Sequence, residues 1–218
     1  MSGGGTHGSV ASLGILTALL ASACTMDGVK GNGEIKSETR QVGAFSAIAA
    51  SGAYRLEVSH GPRRLELRSD ANLLPLVETS VDGGRLVLRT RKNLRPTDGV
   101  TVTVATPELR RLAISGAVKG HVDGVSGEGF DIELSGAGSL DVTGQVERLG
   151  IHLSGAGRIR AQGLRAEEAG VRCSGAGSIE LQATRTLDVV LSGAGRVAYH
   201  GDPKVTQKIS GVGSLVKK

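Results

Sequence analysis

From residue 111 onward, apolar and polar positions alternate in blocks that recur about every twenty residues. One apolar position is held by Leu112, Ile132, Ile151, Val171 and Val189, with Gln207 in the last block. Two residues later stand Ile114, Leu134, Leu153, Cys173, Leu191 and Ile209. Between them lie Ala113, Glu133, His152, Arg172, Val190 and Lys208. A period of two puts one set inside and the other outside, so each block predicts a half-buried β-strand. Each strand runs into the tetrad Ser-Gly-Ala-Gly, which begins at Ser135, Ser154, Ser174 and Ser192. Degenerate copies begin at Ser115 (Ser-Gly-Ala-Val) and Ser210 (Ser-Gly-Val-Gly). The steps are 20, 19, 20, 18 and 18 residues. A second strand follows the tetrad, marked by Leu140 and Val142, Ile159 and Ala161, Ile179 and Leu181, and Val197 and Tyr199. The serine falls on the outward phase, at the surface or a corner.

A fixed period near twenty residues is the signature of a solenoid. About 19 residues at roughly 3.3 Å each give a perimeter near 60 Å, suited to a flattened or three-sided coil. Six coils about 4.8 Å apart make a stack of roughly 25–30 Å. The expected fold is therefore all-β, a parallel β-helix with coils of about 18–20 residues and Ser-Gly-Ala-Gly corners. A right-handed coil is favoured, and a twisted β-sandwich is the alternative. No six-residue subperiod points to the left-handed hexapeptide helix, and no G-G-x-G-x-D pattern points to the calcium-binding roll.

Residues 34–110 follow a looser pattern. Strand-like runs occur at Tyr54–Val58, Leu65–Leu67, Arg85–Leu88 and Val100–Val104. His60-Gly-Pro62 and Asp82-Gly-Gly84 read as turns between them. Ala71 to Glu78 predicts one short helical turn. Ser51-Gly52-Ala53 echoes the tetrad, which makes this region a candidate for the opening, irregular coils of the same solenoid.

The N-terminus reads as an address. Val10 to Ala23 is apolar but shorter than the ~20 residues a membrane span needs, and it has the length of a signal-peptide core. Ala21-Ser22-Ala23-Cys24 resembles a bacterial lipobox, in which the cysteine is acylated. It departs from that pattern in having Ala21 where Leu is usual and no Lys or Arg in Met1 to Ser9. Ala21-Ser22-Ala23 is also a site for ordinary signal peptidase. Both readings cut after Ala23 and differ only in whether Cys24 carries lipid. The expected organisation is a signal peptide over 1–23, a polar tether over 24–33, an N-terminal β region over 34–110 and the repeat β-helix over 111–218. The location is the cell envelope, as a membrane-anchored lipoprotein or, in the second reading, a soluble periplasmic protein. The other cysteine, Cys173, sits at a core position and is expected to be a small buried hydrophobe.

Composition narrows the chemistry. The aromatic share is 2%, with no Trp, so the core is aliphatic. The same scarcity argues against nucleic acid, whose stacking platforms are aromatic. Glycine, at 34 of 218 residues, is more than twice its usual share, and the tetrads hold eleven of them. The net charge is +5, and +4 of it lies between Tyr54 and Arg111. Arg85, Arg89 and Arg91 share one strand phase, with Lys92 and Arg95 after them. This stripe is the candidate contact for anionic envelope polysaccharide or lipid head groups, or else a guard on a sheet edge. His60, His121, His152 and His200 lack metal-ligand spacing, and no cofactor or metal motif appears. Gly136-Ala-Gly138 lacks the G-K-[ST] of a phosphate loop, and no G-x-S-x-G elbow surrounds any tetrad serine. Glu133 and Asp141 could face each other across a corner, but nothing marks a catalytic pair.

Five segments together carry a family resemblance. They are Gln41-Val-Gly-Ala-Phe45, Ser51-Gly-Ala-Tyr54, Asn72-Leu-Leu-Pro75, Thr106-Pro-Glu-Leu109 and the Ser-Gly-Ala-Gly series. Over about residues 34–215 the chain resembles the putative auto-transporter adhesin head GIN domain family. The resemblance implies an exported, often lipid-anchored β-helical domain, and it brings no catalytic residues. The functional expectation is a non-catalytic binding or adhesion module of the envelope. The alternatives are a β-helix enzyme acting on polysaccharide and a purely structural envelope component.

Overall fold

The computed structural model describes residues 28–218. The expected signal peptide and Cys24 lie outside the described residues. No helix among those described is long and apolar enough to cross a membrane. The chain is a β-solenoid, and the parallel stack expected from the repeat is what forms.

Each coil has a strand before the tetrad, a corner at the tetrad and a strand after it. The strands before it are Ala47–Gly52, Arg111–Gly116 and the ends of Lys119–Gly136, Ser139–Gly155, Arg158–Gly175, Ser178–Gly193 and Lys204–Gly211. All pair in parallel, so that Ser51, Ser115, Ser135, Ser154, Ser174, Ser192 and Ser210 stand in one register. The echo at Ser51 is thus a full member of the ladder. The strands after the tetrad start at Arg55, Lys119, Ser139, Arg158, Ser178, Arg196 and Ser214 and stack in the same way. In the middle coils a short third side closes the loop, with Val146, Ala166 and Ala183 inside it.

The inward phase forms continuous apolar columns. Leu112, Ile132, Ile151, Val171 and Val189 are buried, as are Ile114, Leu134, Leu153, Cys173 and Leu191. Burial of one such Leu or Ile contributes about 1.5–3 kcal/mol, so coil stacking is the dominant stabilising term. Burial also pushes the Cys173 thiol up, which keeps it protonated and inert.

The N-terminal region builds the first coils with antiparallel additions. Asp82-Gly83-Gly84-Arg85 is a tight hairpin joining Val77–Asp82 to Arg85–Thr90, and Arg85–Thr90 then pairs in parallel with Ala47–Gly52. On the other side, Ile35–Thr39, Arg64–Asp70 and Thr101–Thr106 lead to Arg55–His60. The helical turn expected within 71–78 is a 3₁₀ turn at Leu74–Leu76.

Residues 28–33, part of the expected tether, are docked on the domain. Val29–Lys30 pairs in parallel with Leu94–Arg95. The buried Asp70 carboxylate clamps this segment to the 97 loop. It accepts the Gly33 amide at 2.8 Å, the Thr97 hydroxyl at 2.7 Å and the Thr97 amide at 2.9 Å. The Thr97 hydroxyl and amide, with Gly33, hold the Asp70 carboxyl below its ordinary range. A lowered native pKa means that the unfolded chain binds the extra proton first. The clamp therefore stabilises fully above about pH 4 and is lost as pH falls through the lowered value. We expect Asp70→Asn to lower the melting temperature at pH 7 and to flatten its decline below about pH 4, the ordinary aspartate value. Melts of parent and variant across that range check this, and parallel pH profiles would refute it.

Candidate binding surface

In-register stacking turns the outward phase into straight columns, each with its own chemistry. The corner forms the ridge. Its alanines, Ala53, Ala117, Ala137, Ala156, Ala176 and Ala194, are all exposed, and Val212 ends the row at 85% exposure. The tetrad serines lie beside them on the surface. The Ser210 hydroxyl donates to the Leu191 carbonyl of the preceding coil at 3.2 Å.

Beyond the alanines runs the first outward column of the second strand. From Arg68 it passes through Thr101, Arg55, Lys119, Ser139, Arg158, Ser178 and Arg196 to Ser214. The next column is Glu66, Thr103, Glu57, His121, Asp141, Arg160, Glu180 and Ala198. Its carboxylates are largely paired. Arg160 clasps Asp141 with both ends of its guanidinium and holds that carboxyl below its ordinary range. Lys218 and His200 do the same for Glu180, each at 2.8–2.9 Å. Glu66 is paired with Arg64.

On the far side of the solenoid, a groove of about 870 Å³ runs across four coils. Its floor is glycine at Gly150 and Gly170, and its ends are Asp131 and Asp188 in the same column. Arg110 and Arg148, which also line it, are held by Glu108 and Glu128.

The structure scatters several residues that the sequence marked. Glu133 pairs with Arg111 at 3.3 Å while Asp141 pairs with Arg160, so each carboxylate is engaged on its own side of the corner. His152 stands between Glu133 and Arg172, with its Nε2 3.5 Å from the Arg172 guanidinium. Arg85, Arg89, Arg91, Lys92 and Arg95 are all exposed. Glu78 binds both Arg89, at 2.6 Å, and Arg91, and the two hold its carboxyl below the ordinary range, Arg91 most strongly. Arg85, Lys92 and Arg95 are in no ion pair among the described residues. Arg95 borders a cleft of about 350 Å³ shared with Gly52 and Ala53, at the start of the alanine ridge.

The family model described as "Putative auto-transporter adhesin, head GIN domain" matches residues 44–203. The chain belongs to this family. Solved structures share the fold of this head GIN domain. A putative adhesin from Bacteroides fragilis superposes with a TM-score of 0.72 at 22% identity, covering 88% of this chain and 100% of its own. A putative lipid binding protein from Parabacteroides distasonis gives 0.53 at 22% identity, with 88% and 100% covered. A putative adhesin from Parabacteroides merdae gives 0.53 at 20% identity, with 88% and 99% covered. No curated protein matches the chain.

The row of Arg55, Lys119, Arg158 and Arg196 on the head GIN domain escapes a local reading, because its members are about forty residues apart or more. A signal was present. The fourth residue after each tetrad serine reads Lys119, Ser139, Arg158, Ser178, Arg196, Ser214. Only a register fixed by the tetrads turns that alternation into a row.

Proposed function

We propose that the head GIN domain is a non-catalytic binding module of the cell envelope, held at a membrane by lipid on Cys24. The observation that carries the reading is the set of straight, in-register columns on a rigid solenoid, a surface shaped to meet an extended partner. On the second column Asp141, Glu180 and Glu66 are each held in an ion pair, and they do not converge on one reacting atom. One neighbour in fold is named for lipid binding and two for adhesion, which fits a partner within the envelope. The stripe of Arg85, Arg89, Arg91, Lys92 and Arg95 is a contact for anionic polysaccharide or lipid head groups. Arg85, Lys92 and Arg95 supply its free charge, since Glu78 occupies the other two.

Two measurements test the proposal. Cys24→Ser should release the protein from membranes and abolish metabolic labelling with a fatty acid. A parent that is unlabelled and soluble would leave ordinary signal-peptidase cleavage as the reading. A screen of glycans, anionic polymers and vesicles should find saturable binding with no change in polymer length. Turnover of an acidic polysaccharide would instead make the domain a β-helix enzyme.

A further inference from the structure

The column from Arg68 to Ser214 contains only cations and hydroxyls. Arg55, Lys119, Arg158 and Arg196 supply the charge, and Thr101, Ser139, Ser178 and Ser214 stand between or beside them. None of these four cations is in an ion pair among the described residues, whereas Arg160, Arg148, Arg185 and Arg111 on other columns each have a carboxylate. All four are exposed, and the hydroxyl residues between them are half-buried. Arg158 donates to the Ser178 hydroxyl at 3.3 Å, so cation and hydroxyl already lie within reach along the row.

We propose that this column is the docking line for an acidic polysaccharide whose chain runs parallel to the solenoid axis. The proposal rests on the binding-module reading above and narrows it to one site and one partner class. Coils repeat at about 4.8 Å, so Lys119, Arg158 and Arg196 recur every second coil, or about 10 Å. That spacing suits a polymer with an acidic group on alternate sugars. The intervening serines meet the neutral sugar's hydroxyls, each offering one donor and two acceptor lone pairs. The exposed alanines alongside give a flat, uncharged wall against which a sugar chain can lie.

The charge layout favours a chain over a bilayer. A lipid surface meets a plane of charge, and here the adjacent column carries Glu57, Asp141 and Glu180. Asp141 and Glu180 are neutralised by Arg160 and Lys218, so they neither neutralise the row nor extend it into a basic plane. Glu57, beside Arg55, has no cation partner among the described residues and weakens that end. The strongest stretch is therefore Lys119 to Arg196.

The test uses the full protein with two acidic probes, hyaluronan, acidic on alternate sugars, and polygalacturonate, acidic on every one. Neutral dextran and phosphatidylglycerol vesicles serve as comparisons. One variant carries Lys119→Ser, Arg158→Ser and Arg196→Ser, a change the fold accepts because serine already occupies alternate positions of this column. A control variant carries Arg63→Ser and Arg165→Ser, two exposed cations outside both the column and the stripe. Circular dichroism and melting confirm that both remain folded. The parent should bind at least one acidic polymer, more tightly as the oligomer lengthens until it spans Arg55 to Arg196, about 24 Å. Binding should weaken as salt rises, because exposed charges are screened beyond about 8 Å at physiological ionic strength. The triple variant should lose about tenfold or more in affinity, the combined effect of three exposed ionic contacts. The control variant should stay within about twofold of the parent. The proposal is overturned by a parent that binds neither acidic polymer, by a triple variant that binds like the parent, or by an equal loss in the control variant. Binding of vesicles or dextran alone would overturn it while leaving the binding module standing. A parent that binds none of the probes would remove both.

Discussion

Replacing Leu153 with Asp should leave no folded solenoid. Leu153 is 1% exposed in the centre of the stack, between Leu134 and Cys173 of the adjoining coils, and Gly177 of the following coil packs against its side chain. An aspartate there would be a buried charge with no cation within the apolar column. The effective penalty is several kcal/mol, on top of the lost burial. A domain of this size has only about 5–15 kcal/mol of stability to lose. Leu153→Ala keeps the column dry and should cost about 2–5 kcal/mol. Denaturant melts separate the two, and a Leu153→Asp protein as stable as the parent would mean that the inward phase is misassigned.

The second large effect belongs to the corner. Gly155 has φ of 122°, and a Cβ there would lie 2.6 Å from the carbonyl oxygen of Gly136 in the coil below. The backbone region alone costs an L-residue about 1–3 kcal/mol. The contact then forces the two coils apart at the point where they bond most closely. Gly155→Ala should therefore destabilise by at least about 2 kcal/mol. Its neighbour supplies the control. Ser154 is exposed, so Ser154→Ala should fall within about 0.5 kcal/mol of the parent. Equal losses for the two would show that the corner is held by serine bonding along the ladder and not by close backbone approach.

The parts of this fold that repeat were legible in the sequence. The two-residue alternation around Leu134 and Leu153 assigned inside and outside, and the tetrad spacing set the register that the structure shows from Ser115 to Ser210. Ser51 extended that register into the first half. The antiparallel strands at Ile35–Thr39 and Val77–Asp82 were less visible, because no internal copy of them exists to compare. The docking of Val29–Lys30 was hidden for a different reason. It depends on the Asp70 carboxylate reaching Gly33 from 37 residues away, a contact that no local pattern encodes. Charge was the least legible feature. Arg85, Arg89 and Arg91 stood out because they are close in sequence, yet Glu78 occupies two of them. The row from Arg55 to Arg196 carries four charges with no ion pair among the described residues and is spread over 142 positions. Repeat proteins hide their surfaces in this way, since neighbours in space are one period apart.

Everything proposed for the surface depends on side chains about twenty residues apart standing one coil apart. Distances between paired spin labels measure this directly. With Cys24→Ser as background and Cys173 buried, labels are placed at Ser115→Cys together with Ser174→Cys, Ser192→Cys or Ser210→Cys. The ladder sets these pairs three, four and five coils apart, so backbone separations should rise from about 14 to 19 to 24 Å in even steps. Distances that fail to grow along this series would mean that the tetrads do not stack in register, and the columns on which the binding surface is built would not exist.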